Sequence, residues 1–306
     1  MMYVLRNVSK IYSNGYMANS SISLDIERGE VFGILGPNGA GKTTLVKQMV
    51  GLLASTSGTI DLDGSRIGEK NTIIPQTVSY LGQSNSAFSF FTFREIIIHA
   101  GIHRGLTKNA AIEEASSLIN RFKCEGIANN LRMHLSGGER KLSMLLTAFI
   151  ALKPVIILDE PTNDLDPAHR AELWQYVNEL CRTKNSTIIL VTHNLSEAES
   201  VIDRMAIIDK GDLIVYGTLG DLKRQAGERI KVEFIIHDNC KYVLSGATHV
   251  RGQKWQIITN YDTSTQIVDS IIQAAKDKIV DDFSITAMKL EDVYIQALNR
   301  EKQHEQ

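Results

Sequence analysis

The sequence predicts an α/β protein in which buried parallel strands end at charged and glycine-rich loops. One observation is the apolar run Val31–Leu35, which leads into a glycine-rich loop and then a helical pattern. The others are Val155–Leu158 and Thr187–Thr192, two apolar runs of strand length that suit strands covered on both faces. Open α/β sheets bind ligands at the carboxyl ends of their strands, so the loops after these runs are the first candidates for a site.

Length and composition exclude several classes of protein. The 306 residues can bury a substantial core and suggest one large domain with a smaller one. The 33 Lys and Arg residues nearly balance the 35 Asp and Glu residues, which argues against a nucleic-acid partner. Three widely spaced cysteines predict a reducing compartment. With no signal peptide and no apolar stretch near the ~20 residues that span a bilayer, we expect a soluble chain.

The chain begins with two predicted strands, residues 2–11 and Ile22–Ile26. Tyr12 lies between them, just before a polar turn. Its ring could stack on a nucleotide base, because stacking requires only a π-face. The alternative is an ordinary core or edge aromatic. Tyr16 is a rival for the same role.

The loop after the first apolar run has the spacing G-x-x-x-x-G-K-T of a phosphate-binding loop. Its glycines let successive backbone N–H groups turn toward phosphate oxygens, and the helix that follows adds the positive end of its dipole. We expect Lys42 to reach the β- and γ-phosphates and the Thr43 hydroxyl to ligate Mg²⁺. The chain is therefore predicted to bind a nucleoside triphosphate. The residues of this phosphate loop are Gly36, Pro37, Asn38, Gly39, Ala40, Gly41, Lys42, Thr43 and Thr44.

A helix, a hairpin and a further strand are predicted next. The helix continues from Thr44 to Leu53, and Thr59–Leu62 leads into an Asp-Gly corner. The strand Val78–Leu81 ends near Gln83, whose amide is placed to ligate Mg²⁺ or to orient water, although loop glutamines are usually only solvated.

Four phenylalanines follow within six positions, and residues 94–129 after them are predicted to be mostly helical. The phenylalanines either form an exposed docking patch or pack beneath the adjoining helix, and the pattern favours neither interpretation. No heptad run predicts a coiled-coil arm. The four residues are Phe88, Phe90, Phe91 and Phe93.

A Ser-Gly-Gly-Glu motif opens a helix predicted over Arg140–Leu152. Ser136 and Glu139 have the spacing of a capping box, so a well-capped helix explains much of the pattern. Gly137 and Gly138 serve no capping need, and they would let a phosphate approach the bare N–H groups of the first turn.

Two acidic residues and a histidine follow the other two apolar runs. Asp159 is placed to hold Mg²⁺, directly or through water, and Glu160 to accept a proton from an attacking water. Adjacent acids in a turn are ordinarily solvated, but their position after an all-apolar strand favours chemistry. His193 lies at the same end of its own strand and could contact the γ-phosphate.

Together these motifs resemble the nucleotide-binding subunit of an ATP-binding-cassette (ABC) transporter, over roughly residues 2–225. They stand in that family's order: base-stacking aromatic, phosphate loop, glutamine loop, LSGGE signature, Walker B strand with its catalytic carboxylate, D-loop and switch histidine. Two motifs depart from the family pattern. The signature ends in Glu139 rather than Gln, and the D-loop reads Asn-Asp-Leu-Asp, in which Asp166 keeps its place. The matching positions are Tyr12, 36–44, Gln83, 135–139, Asp159 with Glu160, 163–166 and His193.

The resemblance implies an α/β P-loop NTPase fold of the ABC ATPase type, with an antiparallel β subdomain and a helical subdomain at about 84–152. It implies an ATPase that takes ATP and Mg²⁺ and forms a head-to-tail dimer, either with itself or with a paired cassette subunit. Each ATP would lie between the phosphate loop of one subunit and the signature of the other, with Asp166 at the contact. Water activated by Glu160 would hydrolyse ATP and release the dimer. The residues implied in catalysis are Glu160, His193, Gln83 and Lys42, those for the metal are Thr43, Gln83 and Asp159, and those of the signature are Ser136, Gly137 and Gly138.

Residues 226–306 are predicted to form a separate small α+β domain, with strands at Ile230–Ile236 and Trp255–Thr259 and helices at Thr265–Lys276 and from Leu290. The ending Leu-Glu-Asp-Val-Tyr resembles that of exporter ATPases for drugs, antimicrobial peptides or polysaccharides, whose permease is encoded separately. This domain carries no catalytic constellation, so we expect a regulatory or dimer-stabilising role.

The expected protein is the ATPase of an exporter, cytoplasmic and peripheral on the inner face of the membrane, with an integral-membrane permease as partner. The segment after Gln83 would contact that permease. Rivals are an importer ATPase and a soluble cassette protein of translation or DNA repair, which would need two cassettes or a coiled-coil arm. A GTPase switch would need an Asn-Lys-x-Asp element, and none occurs.

Overall fold

The structure is a computed structural model that describes residues 1–68, 72–82, 88–225, 229–238, 240, 244–287, 290, 292 and 294–295. The chain divides into two compact units, residues 1–216 and 217–306. The predicted boundary at 225/226 lies at the end of a short helix that groups with the second unit.

Strands and helices follow one another through both units. The strands are β1 Tyr3–Ile11, β2 Met17–Ile26, β3 Val31–Leu35, β4 Ser57–Leu62, β5 Ser65–Arg66, β6 Val78–Leu81, β7 Val155–Asp159, β8 Thr187–Thr192, β9 Arg204–Asp209, β10 Asp212–Thr218, β11 Arg229–Ile236, β12 Thr248–Arg251, β13 Lys254–Asn260 and β14 Val280–Ala287. The helices are α1 Lys42–Met49, α2 Ile73–Thr77, α3 Phe93–His103, α4 Lys108–Arg121, α5 Gly137–Phe149, α6 Pro167–Lys184, α7 Leu195–Ala198, α8 Leu219–Gln225 and α9 Tyr261–Lys276, with 3₁₀ turns at Glu125–Ile127 and Arg132–His134.

The central sheet has six strands in the order β10-β9-β3-β8-β7-β6. Strands β9, β3, β8, β7 and β6 pair in parallel, so their carboxyl ends lie along one edge. Every residue of β3, β7 and β8 is buried, as the three apolar runs predicted. The phosphate loop, the two acidic residues and the histidine therefore emerge beside one another.

A four-stranded antiparallel sheet in the order β2-β1-β4-β5 packs on this core, and it is the predicted β subdomain. Strand β2 begins at Met17, earlier than the predicted Ile22, because Met17 and Asn19 pair with Ile11 and Lys10 of β1.

Helix α1 is shorter than predicted and ends at Met49 rather than Leu53. Gly51 adopts a φ of 68°, and the N–H groups of Leu52 and Leu53 both turn back to the carbonyl of Lys47. A glycine in this conformation stops a helix because it reverses the chain direction at no steric cost.

Helices α3, α4 and α5 form the helical part of the first unit, as predicted. The phenylalanine cluster before them contains both exposed and buried residues, so each of the two alternatives holds for some of them. Phe93 is fully buried, whereas Phe90 is 82% exposed and Phe88 is 43% exposed. Helix α5 ends at Phe149, before the predicted Leu152.

The second unit, described by itself, is an antiparallel sheet in the order β12-β13-β11-β14 with helix α9. Its core contains Val232, Phe234, Ile257 and Ile271. The sequence missed β12 and β14, and of the predicted last helix only Leu290 and residues 292, 294 and 295 are described, all helical. The predicted fold class is confirmed. In the described parts of both units, no helix is apolar over the length that a bilayer crossing requires.

Candidate functional site

The phosphate loop joins β3 to α1 in a conformation that requires glycine. Gly36 has a φ of 145° and Gly41 a φ of 102°. A Cβ atom at Gly36 would lie 2.0 Å from the carbonyl oxygen of Ile208, and one at Gly41 would lie 2.1 Å from that of Ala18. The loop is thus held tightly against β2 and β9, which fixes its curvature before any ligand binds.

Lys42 begins α1 and is almost fully buried. Its Nζ donates hydrogen bonds to the carbonyl oxygens of Gly36 at 2.7 Å and Pro37 at 2.9 Å. Burial lowers the pKa of Lys42, and the negative charges of Glu160 and Asp159 oppose that shift. No side chain caps the start of α1, which leaves its first N–H groups for an anion.

Thr43 and Asp159 come together as the sequence predicted. The Thr43 hydroxyl donates to Oδ2 of Asp159 at 3.1 Å, and Asp159 is fully buried. Burial, with the nearby charge of Asp159, raises the pKa of Tyr80 to about 12. A hydroxyl and a carboxylate in contact are oxygen ligands of the kind that hard cations prefer.

Glu160 is buried and held by three donors from the end of β8. Its Oε2 accepts from the Thr192 hydroxyl at 3.1 Å, and its Oε1 accepts from the His193 backbone N–H at 3.1 Å. Nδ1 of His193 lies 2.8 Å from the same Oε1. Glu160 has a φ of 49°, an unfavourable backbone conformation that persists where the surroundings over-determine it. The structure thus pairs His193 directly with the carboxylate.

Lys42, Thr43, Glu160 and His193 line one cavity of about 540 Å³. Asn163, which the sequence placed in the D-loop but not among the nucleotide-site residues, also lines the cavity. Tyr16 is among the lining residues, and its hydroxyl donates to the Gly39 carbonyl at 3.4 Å. The Tyr12 hydroxyl instead lies 3.2 Å from that of Thr44. Gln83 lies outside the described residues. The cavity is lined by Tyr16, Ala18, residues 38–44, Glu160, Asn163 and His193.

The signature forms the capping box that its spacing predicted. Ser136 Oγ accepts from the Glu139 N–H at 3.3 Å, and the Glu139 carboxylate accepts from the Ser136 N–H at 2.7 Å. Gly138 has an additional role that the sequence did not show. A Cβ there would lie 2.5 Å from the carbonyl oxygen of Asp164, so the missing side chain lets the D-loop approach. A Cβ at Gly137 would meet no atom within 4 Å.

The signature lies at a second cavity of about 380 Å³, whose lining shares no described residue with the first. The D-loop separates the two: Asn163 faces the first cavity, and Asp164, Leu165 and Asp166 face the second. The second cavity is lined by Lys123, Cys124, Gly126, Ile127, Ser136, Gly138, Glu139, Leu142, Asp164, Leu165, Asp166 and His169.

Comparison with known proteins places the chain in a family. The family model described as "ABC transporter" matches residues 20–163. The daunorubicin/doxorubicin resistance ATP-binding protein of Streptomyces peucetius is 33% identical over 229 residues, which is 75% of this chain and 68% of that protein. The thiamine import ATP-binding protein of Vibrio vulnificus is 32% identical over 238 residues, covering 76% of this chain and 98% of that protein.

Solved structures show the same fold. An ATP-binding subunit of an ABC transporter superposes with a TM-score of 0.68 at 28% identity, covering 74% of this chain and 94% of that one. A dimeric cassette bound to ADP and phosphate superposes with a TM-score of 0.66 at 23% identity, covering 71% of this chain and 99% of that one. The chain therefore belongs to the ABC transporter family, as an ATPase subunit that binds ATP.

Proposed function

We propose that this chain powers a membrane exporter by ATP-driven head-to-tail dimerisation. The observation that carries the proposal is the division of the site between two separate cavities. One contains the phosphate loop, Glu160 and His193, and the other contains the start of α5. A helix N-terminus attracts phosphate. The start of α5 of one chain can therefore contact ATP bound in the phosphate-loop cavity of another chain, provided that the two chains meet.

In this arrangement ATP lies in the phosphate-loop cavity of one subunit and against residues 136–138 of its partner. Ser136 Oγ already accepts one hydrogen bond within its capping box, so its hydroxyl proton remains able to bond to a phosphate oxygen. The open space at Gly137 lets that oxygen approach the backbone. ATP then bridges two subunits, and its hydrolysis removes the bridge.

The chain's own residues divide the reaction between them. Lys42 supplies a positive charge for the phosphates, and its present carbonyl partners are loop atoms that it can leave. Glu160 accepts the proton of the attacking water as general base. His193, through Nδ1, holds the Glu160 carboxylate in position. Gln83 is proposed to orient the same water, on the resemblance alone.

Mg²⁺ fits the oxygen atoms that Thr43 and Asp159 bring together. Among the described residues, no group of three or more His, Cys, Asp or Glu side chains converges on one point. Mg²⁺ is usually bound by one or two protein ligands together with waters and substrate phosphates. We assign Thr43 and Asp159 as its protein ligands, with Gln83 as the third predicted one, and the ion would neutralise phosphate charge.

The proposed membrane partner is an integral-membrane permease, which would hold this chain on the inner face of the cell membrane. Phe90 and Phe88 offer it an exposed apolar contact beside the helical part of the unit. The Phe90→Ser variant is expected to keep basal ATPase activity and to lose co-purification with the permease. Phe93→Ser would instead destabilise the fold, because that ring is fully buried.

Export is proposed over import on the resemblance of residues 290–294 to exporter ATPases. The relatives include proteins named for both directions, a drug-resistance protein and a thiamine importer, so import is the second candidate. The second unit is proposed to stabilise the dimer or to regulate it.

Transport in vesicles tests the proposal. The chain would be co-purified with its permease and reconstituted with the ATPase face outward, using doxorubicin as the first cargo probe. ATP-dependent movement of the cargo into the vesicle lumen, abolished by Glu160→Gln, supports export. ATP-dependent movement out of preloaded vesicles would establish import, and capture of ribosomes or DNA ends instead of a membrane protein would end the transport proposal.

A further inference from the structure

A histidine joins the D-loop to the helical part of the first unit. Nδ1 of His169, on α6, lies 2.5 Å from Oδ2 of Asp166. Its Nε2 lies 3.2 Å from the carbonyl oxygen of Phe122 at the end of α4. Both ring nitrogens thus face oxygen atoms that accept hydrogen bonds. A neutral imidazole carries an N–H on only one nitrogen, so this arrangement is complete only in the imidazolium form.

A third neighbour of the His169 ring, Cys124, is consistent with the imidazolium form. Sγ of Cys124 lies 3.9 Å from Nε2 and 3.1 Å from the same Phe122 carbonyl. Burial, with the negative charges of Glu125, Glu139 and Asp166, raises the pKa of the Cys124 thiol to about 12. The sulfur therefore keeps its own proton and donates to the carbonyl. A neutral ring with a bare Nε2 would face the carbonyl lone pairs.

Asp166 is the residue through which the ring reaches the D-loop. Its Oδ1 accepts from the N–H groups of Ala168 at 2.9 Å and His169 at 3.0 Å, which caps α6. Hydrogen bonds from His169 lower the pKa of Asp166. Two residues earlier, the carbonyl of Asp164 packs against Gly138 of the signature. The partner of the ring, Asp166, and the residue packed against the signature, Asp164, therefore lie in the same four-residue loop.

Other contacts hold α4 and α6 together, and Nε of Arg170 on α6 also donates to the D-loop, at the Leu165 carbonyl, at 2.9 Å. Arg121 pairs with Glu172 at 3.0 Å and with Glu179 at 2.7 Å, and it lies over the ring of Tyr176. The charged or titratable groups that share the cavity with His169 are Lys123 and Cys124 after α4, Glu139 on α5, and Asp164 and Asp166 of the D-loop.

We propose that His169 is a positioning residue for ATP hydrolysis, which in its imidazolium form ties Asp166 to the Phe122 carbonyl and so sets the D-loop between the two cavities. Histidine charge ordinarily changes between about pH 5 and 8. As the pH rises and the ring keeps only the N–H that faces the Asp166 carboxylate, the Phe122 bond is lost and Asp166 is no longer tied to the end of α4. The expected effect on turnover rests on the proposed function, whereas the contacts and charge of the His169 ring do not.

The first test measures steady-state ATPase activity of the full chain across pH. The wild type is expected to lose turnover as the pH rises, by about tenfold, the effect of one charge-assisted hydrogen bond. The ATPase activity of His169→Gln is expected to stay at the low level at every pH, with a KM for ATP within about twofold of the wild-type value. Two variants keep the wild-type profile: His103→Gln, which removes an exposed histidine of α3, and Cys124→Ser, which keeps a donor to the carbonyl. A wild-type profile in His169→Gln overturns the proposal.

The second test needs no turnover and so separates this inference from the proposed function. Nitrogen-15 NMR of the ring, in nucleotide-free full-length protein at mildly acidic pH, is expected to show N–H on both nitrogens of His169. The signal is assigned by its loss in His169→Gln, and it should revert toward a single N–H as the pH rises. A neutral ring at that pH overturns the proposal even if the ATPase activity is normal. If the chain had no ATPase activity, the proposed function would be wrong. The NMR measurement would still show whether His169 is an imidazolium.

Discussion

The cavity at the phosphate loop and the cavity at the signature differ in the charge of the side chains that line them. The phosphate-loop cavity contains Lys42, Thr43 and Glu160, and Thr43 contacts the buried Asp159. The signature cavity is lined by the start of α5, and its charged or titratable side chains are three acidic residues, Lys123, Cys124 and His169. The first can hold a triphosphate and activate water, whereas the start of α5 in the second offers an anion backbone N–H groups and the Ser136 hydroxyl. The difference indicates two complementary halves rather than two independent sites.

The largest effect is expected from removing the general base. Glu160→Gln keeps the shape of the side chain and its partners at Thr192 and His193, but it cannot accept the proton of the attacking water. Turnover should fall about a thousandfold, within the range for general-base catalysis, with ATP affinity nearly unchanged. Steady-state hydrolysis and equilibrium ATP binding measure the two quantities. Normal turnover would remove Glu160 from this role.

The next effect separates binding from chemistry within the same cavity. Lys42→Ala removes the cation at the phosphates and should weaken ATP binding about a hundredfold, as expected for a charge-assisted bond to an anion. Isothermal titration with ATP checks this value. Lys47→Ala, in the last turn of α1, is the matched control and should bind ATP like the wild type. Equal affinity in the Lys42 and Lys47 variants would place the triphosphate elsewhere.

The signature glycines provide a sharper contrast. Gly137→Ala has room within its own chain, so the thermal midpoint should not change, but the new methyl would obstruct a phosphate held by a partner subunit. Turnover should fall about tenfold, the loss of one phosphate contact. Gly138→Ala should lower both turnover and the thermal midpoint, because its Cβ meets the Asp164 carbonyl. Full activity in Gly137→Ala would show that the second cavity takes no part in hydrolysis.

Mixing two impaired variants extends that contrast. A mixed dimer of Lys42→Ala and Gly137→Ala contains one intact composite site, because the intact phosphate loop meets the intact signature. Partial recovery of hydrolysis on mixing is expected, and activity that stays at the level of the separate variants would contradict the head-to-tail arrangement.

The smallest effect is expected from the aromatic ring that stacks on the nucleotide base of ATP. Tyr16 lines the phosphate-loop cavity, whereas Tyr12 is not a lining residue and only its hydroxyl reaches one, Thr44, at 3.2 Å. Tyr16→Ala should raise the KM for ATP by about three- to tenfold, the contribution of one aromatic contact, and Tyr12→Ala should raise it less. The reverse order would assign stacking to Tyr12, as the family resemblance implies.

Sequence patterns predicted the elements whose signals are local. The apolar runs of β3, β7 and β8 and the capping box at Ser136 can be recognised because burial on both faces and capping depend on neighbouring residues. The Gly138–Asp164 approach and the His169–Phe122 bond join segments that are distant in sequence, so no local pattern predicts them. Strand β12 was missed because its side chains are all exposed and show no alternation of burial.

Two copies of this chain are expected to enclose ATP between unlike halves, and every prediction for the signature cavity depends on that dimer. The mass in solution of full-length Glu160→Gln protein, with saturating ATP and without Mg²⁺, is measured by light scattering after size exclusion. We expect a mass twice that of the 34.0 kDa chain, with Lys42→Ala remaining at the single-chain mass under the same conditions. A Glu160→Gln protein that stays at 34.0 kDa with saturating ATP would show that the dimer does not form.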